Sequence, residues 1–151
     1  MSTKSSIQRN YPYANNRFKV EIAGISQANF LEVITPEVAN EVIEHREGTH
    51  ATNAVMKQAG LVTCGNLILK WGMNGSMELY NWRKMVEQGK LTQAKRNIVI
   101  TLIDEEGNDV VRWTFINAWP IRYKAPDLNA MGNGIAIETL EIACESMQRE
   151  K

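Results

Sequence analysis

The stretch that most limits how this chain can fold is Val110–Tyr123, VVRWTFINAWPIRY. Its odd positions carry Val111, Trp113, Phe115, Asn117, Trp119, Ile121 and Tyr123, and its even positions include Arg112, Thr114 and Arg122, followed by Lys124. Side chains alternate across an extended strand, so the pattern predicts one aromatic and apolar face and one mostly polar face. Two of the chain's four tryptophans fall on the apolar face. At about 3.3 Å per residue, one straight strand here would span about 45 Å, too long for a small domain. Pro120 has no N–H to give a sheet ladder. A bend or bulge is therefore expected near Asn117–Pro120, with the strand passing from one sheet to another.

Shorter runs flank this strand. Phe18, Val20 and Ile22 alternate with Lys19 and Glu21 and predict a first strand ending at Gly24. Ser26 to Ile34 is expected to pair with it after a short turn, and Pro36 closes that run. Val38 to Arg46, Asn66 to Trp71, Asn97 to Ile103 and Ile135 to Cys144 read as further strands. Glu105-Glu106-Gly107-Asn108 is a hairpin turn, and Ala125 to Gly134 reads as a loop. Leu79, Trp82 and Val86 recur at helical spacing, with Ser76 expected as N-cap and Gly89 just past the C-terminus. The count is about seven strands and one helix. The predicted fold is mainly β, a β-sandwich or partly open β-barrel with one flanking α-helix.

Glu47 to Gly65, EGTHATNAVMKQAGLVTCG, shows neither strand nor helix periodicity. It is expected to be a loop, and a loop that long in a compact domain is usually functional or disordered. Val55, Met56, Leu61 and Val62 would be awkward in water, which favours docking on a partner. The expected organisation is an extended N-terminal arm over residues 1–16, a single β domain over 17–146 and a charged tail over 147–151.

With 151 residues and a formal net charge of zero, the chain is large enough for one core and has no basic excess for phosphates. Near-zero charge also weakens self-repulsion. The two cysteines, Cys64 and Cys144, are too sparse for a disulfide framework and are expected as free thiols. No signal peptide and no membrane span is apparent, so the expectation is synthesis in the cytoplasm without a direct membrane anchor.

Catalytic and metal motifs were sought along the whole chain. His45, Glu47 and His50 fall within six residues, but the spacing matches no closed zinc site. Asp127, Asn129, Gly132 and Glu138 partly imitate a calcium loop, yet Met131 occupies a place that should supply oxygen. No nucleophile–histidine pattern and no Gly-rich phosphate loop stands out. The expectation is a protein that is not an enzyme and takes no cofactor or metal.

Several short stretches occur in a telling order. They are Tyr11-Pro-Tyr-Ala, Phe18-Lys-Val-Glu-Ile, Val42-Ile-Glu-His-Arg-Glu-Gly, Gly60-Leu and Gly65-Asn-Leu-Ile-Leu-Lys, then Leu79-Tyr-Asn-Trp-Arg and Asn97-Ile-Val-Ile. Trp113-Thr-Phe-Ile-Asn-Ala-Trp-Pro, Tyr123-Lys-Ala-Pro-Asp-Leu-Asn and Ile137-Glu-Thr-Leu-Glu complete the series. In this order and spacing the chain resembles tail tube proteins of contractile phages and of phage-tail-like contractile injection systems. It departs from the usual pattern at Ala59, where a proline often stands, and at Cys64, where an aromatic is common. The resemblance implies a structural subunit forming stacked hexameric rings around a lumen that conducts cargo or DNA. It implies copies of itself, a contractile sheath protein, and baseplate and tube-initiator proteins as partners, in a phage tail or injection-system particle. On that reading Tyr11, Tyr13, Glu47, His50, Val55, Met56, Leu61 and Val62 are the candidate contacts between subunits or rings. A tube-initiating ring protein of the baseplate and a monomeric ligand-binding β-barrel are the alternatives.

Overall fold

A computed structural model describes residues 11–26, 29–49 and 53–151. The long stretch forms β7 (Asp109–Lys124), and the fold divides at its bend. Asn117 there has φ of 51°, a left-handed conformation that asparagine tolerates better than most residues. Its backbone N–H donates to Asn97 Oδ1 at 3.2 Å, and its Nδ2 donates to Glu145 Oε2 at 2.8 Å. Asn117, and after it Lys95, hold the Glu145 carboxyl below the ordinary carboxylate range. Upstream of the bend, β7 pairs with β6 (Arg96–Ile103) and with β9 (Ser146–Arg149). Downstream it pairs with β8 (Ile137–Ala143). The expected passage between sheet regions is present, and one asparagine is tied to both neighbouring segments where it happens.

The bend corrects the single apolar face expected of β7. Register shifts fall between Phe115 and Ala118 and again between Pro120 and Arg122. Each shift moves the alternation by one residue. Val111 and Phe115 are buried, then Ala118 and Pro120, and Tyr123 returns to the core. Asn117, Trp119 and Ile121 are only half-buried. An odd–even count carried through the bend puts them on the wrong side.

The remaining strands complete one antiparallel path. β1 (Phe18–Ile22) lies beside β6, and β5 (Leu67–Gly72) lies beside β8. β2 (Glu32–Ile34) lies beside β5. The order is β1-β6-β7-β8-β5-β2, with β9 also on β7. The core is a set of cross-strand ladders. Val20 faces Ile100 and Ile22 faces Ile98, while Leu69 faces Leu140 and Leu67 faces Ile142. All eight side chains are buried. Such cross-strand apolar pairs fix register as well as adding stability, because a slip of one residue would turn them to solvent.

The two ends of this path remain separate. Among the described residues, β1 pairs only with β6 and β2 only with β5. Between them opens a cleft of ≈ 460 Å³ whose walls include Phe18, Val33, Ile100, Leu102 and Trp113. The molecule is a partly open barrel with its seam at this cleft.

The helix α1 (Glu78–Glu87) packs on β7. Leu79 and Trp82 are buried, and Met85 and Val86 are packed beside them, as their spacing predicts. Trp82 Nε1 donates to the Ala94 carbonyl at 2.6 Å. Ala94 ends the single-turn helix α2 (Leu91–Ala94), which local sequence did not announce. Gly89 follows the C-cap with φ of 78°, the left-handed position glycine usually takes. The N-terminus is a correction. Met77 rather than Ser76 holds the N-cap position, without a side-chain cap, and Ser76 Oγ accepts only a 3.4 Å bond from the Glu78 N–H. Glu78 instead accepts bonds from the backbone N–H and Oγ of Ser26, at 2.6 and 2.5 Å.

Three other expectations are corrected. The second half of Glu47–Gly65 is strand: β4 (Met56–Cys64) pairs with β3 (Val38–His45). Among its described residues Ser26–Ile34 does not pair with β1; a single bridge joins Ile22 to Ile25 just before it, and its strand β2 joins β5. The charged end of the chain contributes β9, with Met147 opposite Phe115. The described residues thus form nine strands.

A buried pair gives the fold a pH limit. Tyr123 Oη donates to Glu138 Oε1 at 2.9 Å, and the Tyr80 ring meets Tyr123 edge-on at 5.4 Å. Burial, and after it Glu138, push the Tyr123 phenol up from 10.0 to about 12. The folded state favours the neutral phenol, so this contribution is intact below pH 10 and is lost as the pH rises from 10 towards 12. Urea unfolding across that window should show falling stability, and Tyr123→Phe should have a flatter alkaline profile. Equal slopes for the two proteins would refute the assignment.

Candidate assembly surface

The β3–β4 hairpin stands outside the barrel path and forms its own two-stranded sheet. Every β3 residue is exposed, and in β4 only Gly60 and Cys64 are even half-buried. A two-stranded ribbon alone is marginal in water. This one nevertheless carries a dense set of large apolar side chains.

The register sorts them. Val38 lies opposite Cys64, Asn40 opposite Val62, Val42 opposite Ala59 and Glu44 opposite Lys57. Those residues share one face. Ala39 lies opposite Thr63, Ile43 opposite Gln58 and His45 opposite Met56. Leu61, two positions along β4 from Thr63, shares this second face. Val42 is 62% exposed and Val62 65% on one side, and Leu61 is 73% exposed on the other. Strands with one face on a core alternate apolar and polar. Here both faces are apolar in part, and the chain's own barrel covers neither.

The path of the hairpin is set by a bulge in β4, where Gly60 and Leu61 together face Glu41. Within it, a Cβ added to Gly60 would sit 3.1 Å from the Glu41 carbonyl oxygen and 3.2 Å from Ile43 Cγ1. Glycine at this position lets the two backbones approach. At the base of the hairpin, Gly65 N–H donates to Glu37 O at 2.9 Å.

Of the residues predicted as contacts, Met56, Leu61 and Val62 lie on β4, and Val55 immediately precedes it. Val55 and Met56 are both exposed. Glu47 is exposed in the connection between the strands. His50 lies outside the described residues. Tyr11 and Tyr13 are exposed on the segment before β1, at the other end of the described chain. The structure therefore gathers four of the predicted residues on or beside one strand.

Sequence reasoning missed their partners across the hairpin. Val38 to Arg46 reads as a strand with no facing assigned, and the structure turns Val38, Val42 and Ile43 to solvent. The signal was the neighbouring stretch, whose LVTC ending is itself strand-like. A second exposed apolar group is Leu128, Met131 and Ile135, in the loop between β7 and β8. In that loop Lys124 Nζ pairs with Asp127 at 2.8 Å, whereas Glu138 is buried on β8 against Tyr123. The calcium-like spacing does not bring these two carboxylates to one centre. Among the described residues, no group of three or more His, Cys, Asp or Glu side chains is placed to hold a metal.

Comparison with known proteins follows this geometry. The family model described as T4-like virus tail tube protein gp19 matches residues 14–148. A chain of the anti-feeding prophage baseplate, solved with 6-fold symmetry, is 27% identical, with a TM-score of 0.76 over 93% of this chain and 97% of that one. A chain of the anti-feeding prophage tube-terminating cap is 25% identical, with a TM-score of 0.81 over 99% and 97%. A chain of the sheath–tube complex of the PVC extracellular contractile injection system, in its extended state, is 24% identical, with a TM-score of 0.80 over 99% of both, and shares the fold. No curated protein sequence gives a significant match.

Proposed function

This chain belongs to the T4-like virus tail tube protein family, and from that premise we propose how its surfaces build a tube. It is a tail tube subunit, structural rather than enzymatic, of a contractile tail or injection-system particle. Six copies form a ring, and rings stack around a lumen that conducts cargo or DNA. The 6-fold symmetry of the anti-feeding prophage baseplate supports the ring number.

The observation that carries this reading is the β3–β4 ribbon, with exposed Val42 and Val62 on one face and Leu61 on the other. Burying apolar side chains contributes about 25 cal/mol per Å² removed from water. A ribbon apolar on both sides gains most when it lies between two neighbours. One face docks within the ring and the other meets the adjacent ring, with Val55 and Met56 anchoring the tip and Glu47 at its margin. Tyr11 and Tyr13 extend the contact from the N-terminal arm of the next copy.

The open barrel supplies the second element. Among the described residues, β1 and β2 each have a partner strand on one side only. Such edges invite pairing with another chain, and a head-to-tail arrangement that closes satisfies every edge in the ring. The outside of the tube takes a contractile sheath protein, and its ends take baseplate and initiator proteins. The subunit is made in the cytoplasm and acts in the assembled particle.

Electron microscopy and sedimentation of the purified chain test this. The expected result is rings at low concentration and stacked tubes at high concentration. A monomer at every concentration would favour a solitary ligand-binding barrel. Rings that never stack would point to an initiating ring.

A further inference from the structure

The two thiols meet at the root of the projecting hairpin. Cys64 is the last residue of β4, opposite Val38, and Cys144 follows β8 immediately before the turn into β9. They are 80 positions apart in sequence, yet their sulfurs lie 3.1 Å apart. Both are free, both are half-buried, and the chain has no other cysteine. Cys144 Sγ also points to the Gly65 carbonyl at 3.5 Å, next to the Gly65–Glu37 bond that closes the hairpin base.

We propose that Cys64 and Cys144 are a covalent modification site, a dithiol that a small-molecule disulfide such as oxidised glutathione converts to an internal cross-link fixing the hairpin to the barrel. This does not rest on the tube reading. A disulfide needs the sulfurs about 2.05 Å apart, so an approach of about 1 Å closes it. Burial, and after it the neighbouring Cys64, push the Cys144 thiol up to about 12. Either thiol can open the exchange, and attack by Cys64 gives the steps below.

The exchange balances as follows. Cys64 loses its proton to solvent, and its thiolate attacks one sulfur of the glutathione disulfide. That S–S bond breaks, and one glutathione leaves as thiolate and takes up a proton. Cys144 then gives its proton to the second glutathione as its own sulfur attacks Cys64 Sγ. The two protein thiols are oxidised by two electrons, and one glutathione disulfide is reduced to two thiols. The product ties β4 to the β8–β9 junction and closes a chain loop of about 80 residues, which restricts the unfolded state strongly.

The test treats the reduced full chain with oxidised glutathione at mildly alkaline pH. Intact mass and peptide mapping read the product, with Cys64→Ser and Cys144→Ser in parallel. The expected product has lost two hydrogens, carries no glutathione and yields one linked Cys64–Cys144 peptide pair. It should melt roughly 10 °C higher, and a thiol reductant should reverse the rise. Cys144→Ser should stop at a stable glutathione adduct on Cys64. Persistent glutathione adducts on the wild type, disulfide-linked dimers or unreacted thiols would overturn the proposal. So would a cross-linked product that melts no higher than the reduced chain.

Discussion

Val42→Asp combined with Val62→Asp should leave a folded chain that no longer forms tubes. Both residues lie on one face of the hairpin and are well exposed, at 62% and 65%. In the free chain, exposed substitutions of this kind usually change stability by less than about 0.5 kcal/mol. The melting temperature should therefore stay within about 2 °C of wild type. In a tube the same carboxylates would be taken out of water without partners, at several kcal/mol each. Every copy carries the penalty, so the concentration needed for assembly should rise by at least about 100-fold. Leu61→Asp, alone on the opposite face, should act in the same direction. Normal tubes from both variants at wild-type concentrations would remove the hairpin from the assembly surface. Deleting residues 49–59 is a less clean test, because it also removes Met56–Ala59, which pair with Val42–His45 in the hairpin.

Trp82→Ala should be the most damaging single change to the barrel itself. The indole is 1% exposed, under the helix and against the core. Truncating a buried tryptophan costs about 3–5 kcal/mol through lost contact and the cavity left behind. The Ala94 carbonyl would also lose the donor that now lies at 2.6 Å. Arg96, whose guanidinium sits 5.8 Å from the ring centre, would lose its aromatic support. For a chain this size the melting temperature should fall by roughly 10 °C or more. Trp82→Phe should fall between the two, since it keeps one aromatic ring but loses the N–H and the rest of the indole. A Trp82→Ala protein melting within about 2 °C of wild type would show that α1 contributes little to the core.

The contrast between these residues shows where the sequence was readable. Trp82 was legible because Leu79, Trp82 and Val86 sit at helical spacing, and spacing survives wherever the helix packs. The bend in β7 was legible from its length and from Pro120, which cannot serve a straight ladder. Its inward side beyond Phe115 was not, because two register shifts move the phase, and only tertiary pairing reveals them. β4 was hidden for a related reason. The bulge at Gly60 and Leu61 breaks the period, and both faces of the ribbon await other molecules, so no apolar–polar alternation develops. β9, Ser-Met-Gln-Arg, has little apolar character and is defined by backbone pairing to β7. Val55, Met56, Leu61 and Val62 could be picked out as apolar residues with no core to join. Val38, Val42 and Ile43 could not, since nothing local separates a strand facing a core from one facing a neighbour.

The central claim is that two other copies of the chain cover the two faces of the β3–β4 ribbon. A cryo-EM reconstruction of the assembled protein measures this directly, by locating Leu61 and Val62 relative to neighbouring subunits. The account predicts that each packs against a different neighbour and that neither keeps its solvent exposure. A reconstruction in which the ribbon projects freely from the assembly, with both residues still in water, would contradict it.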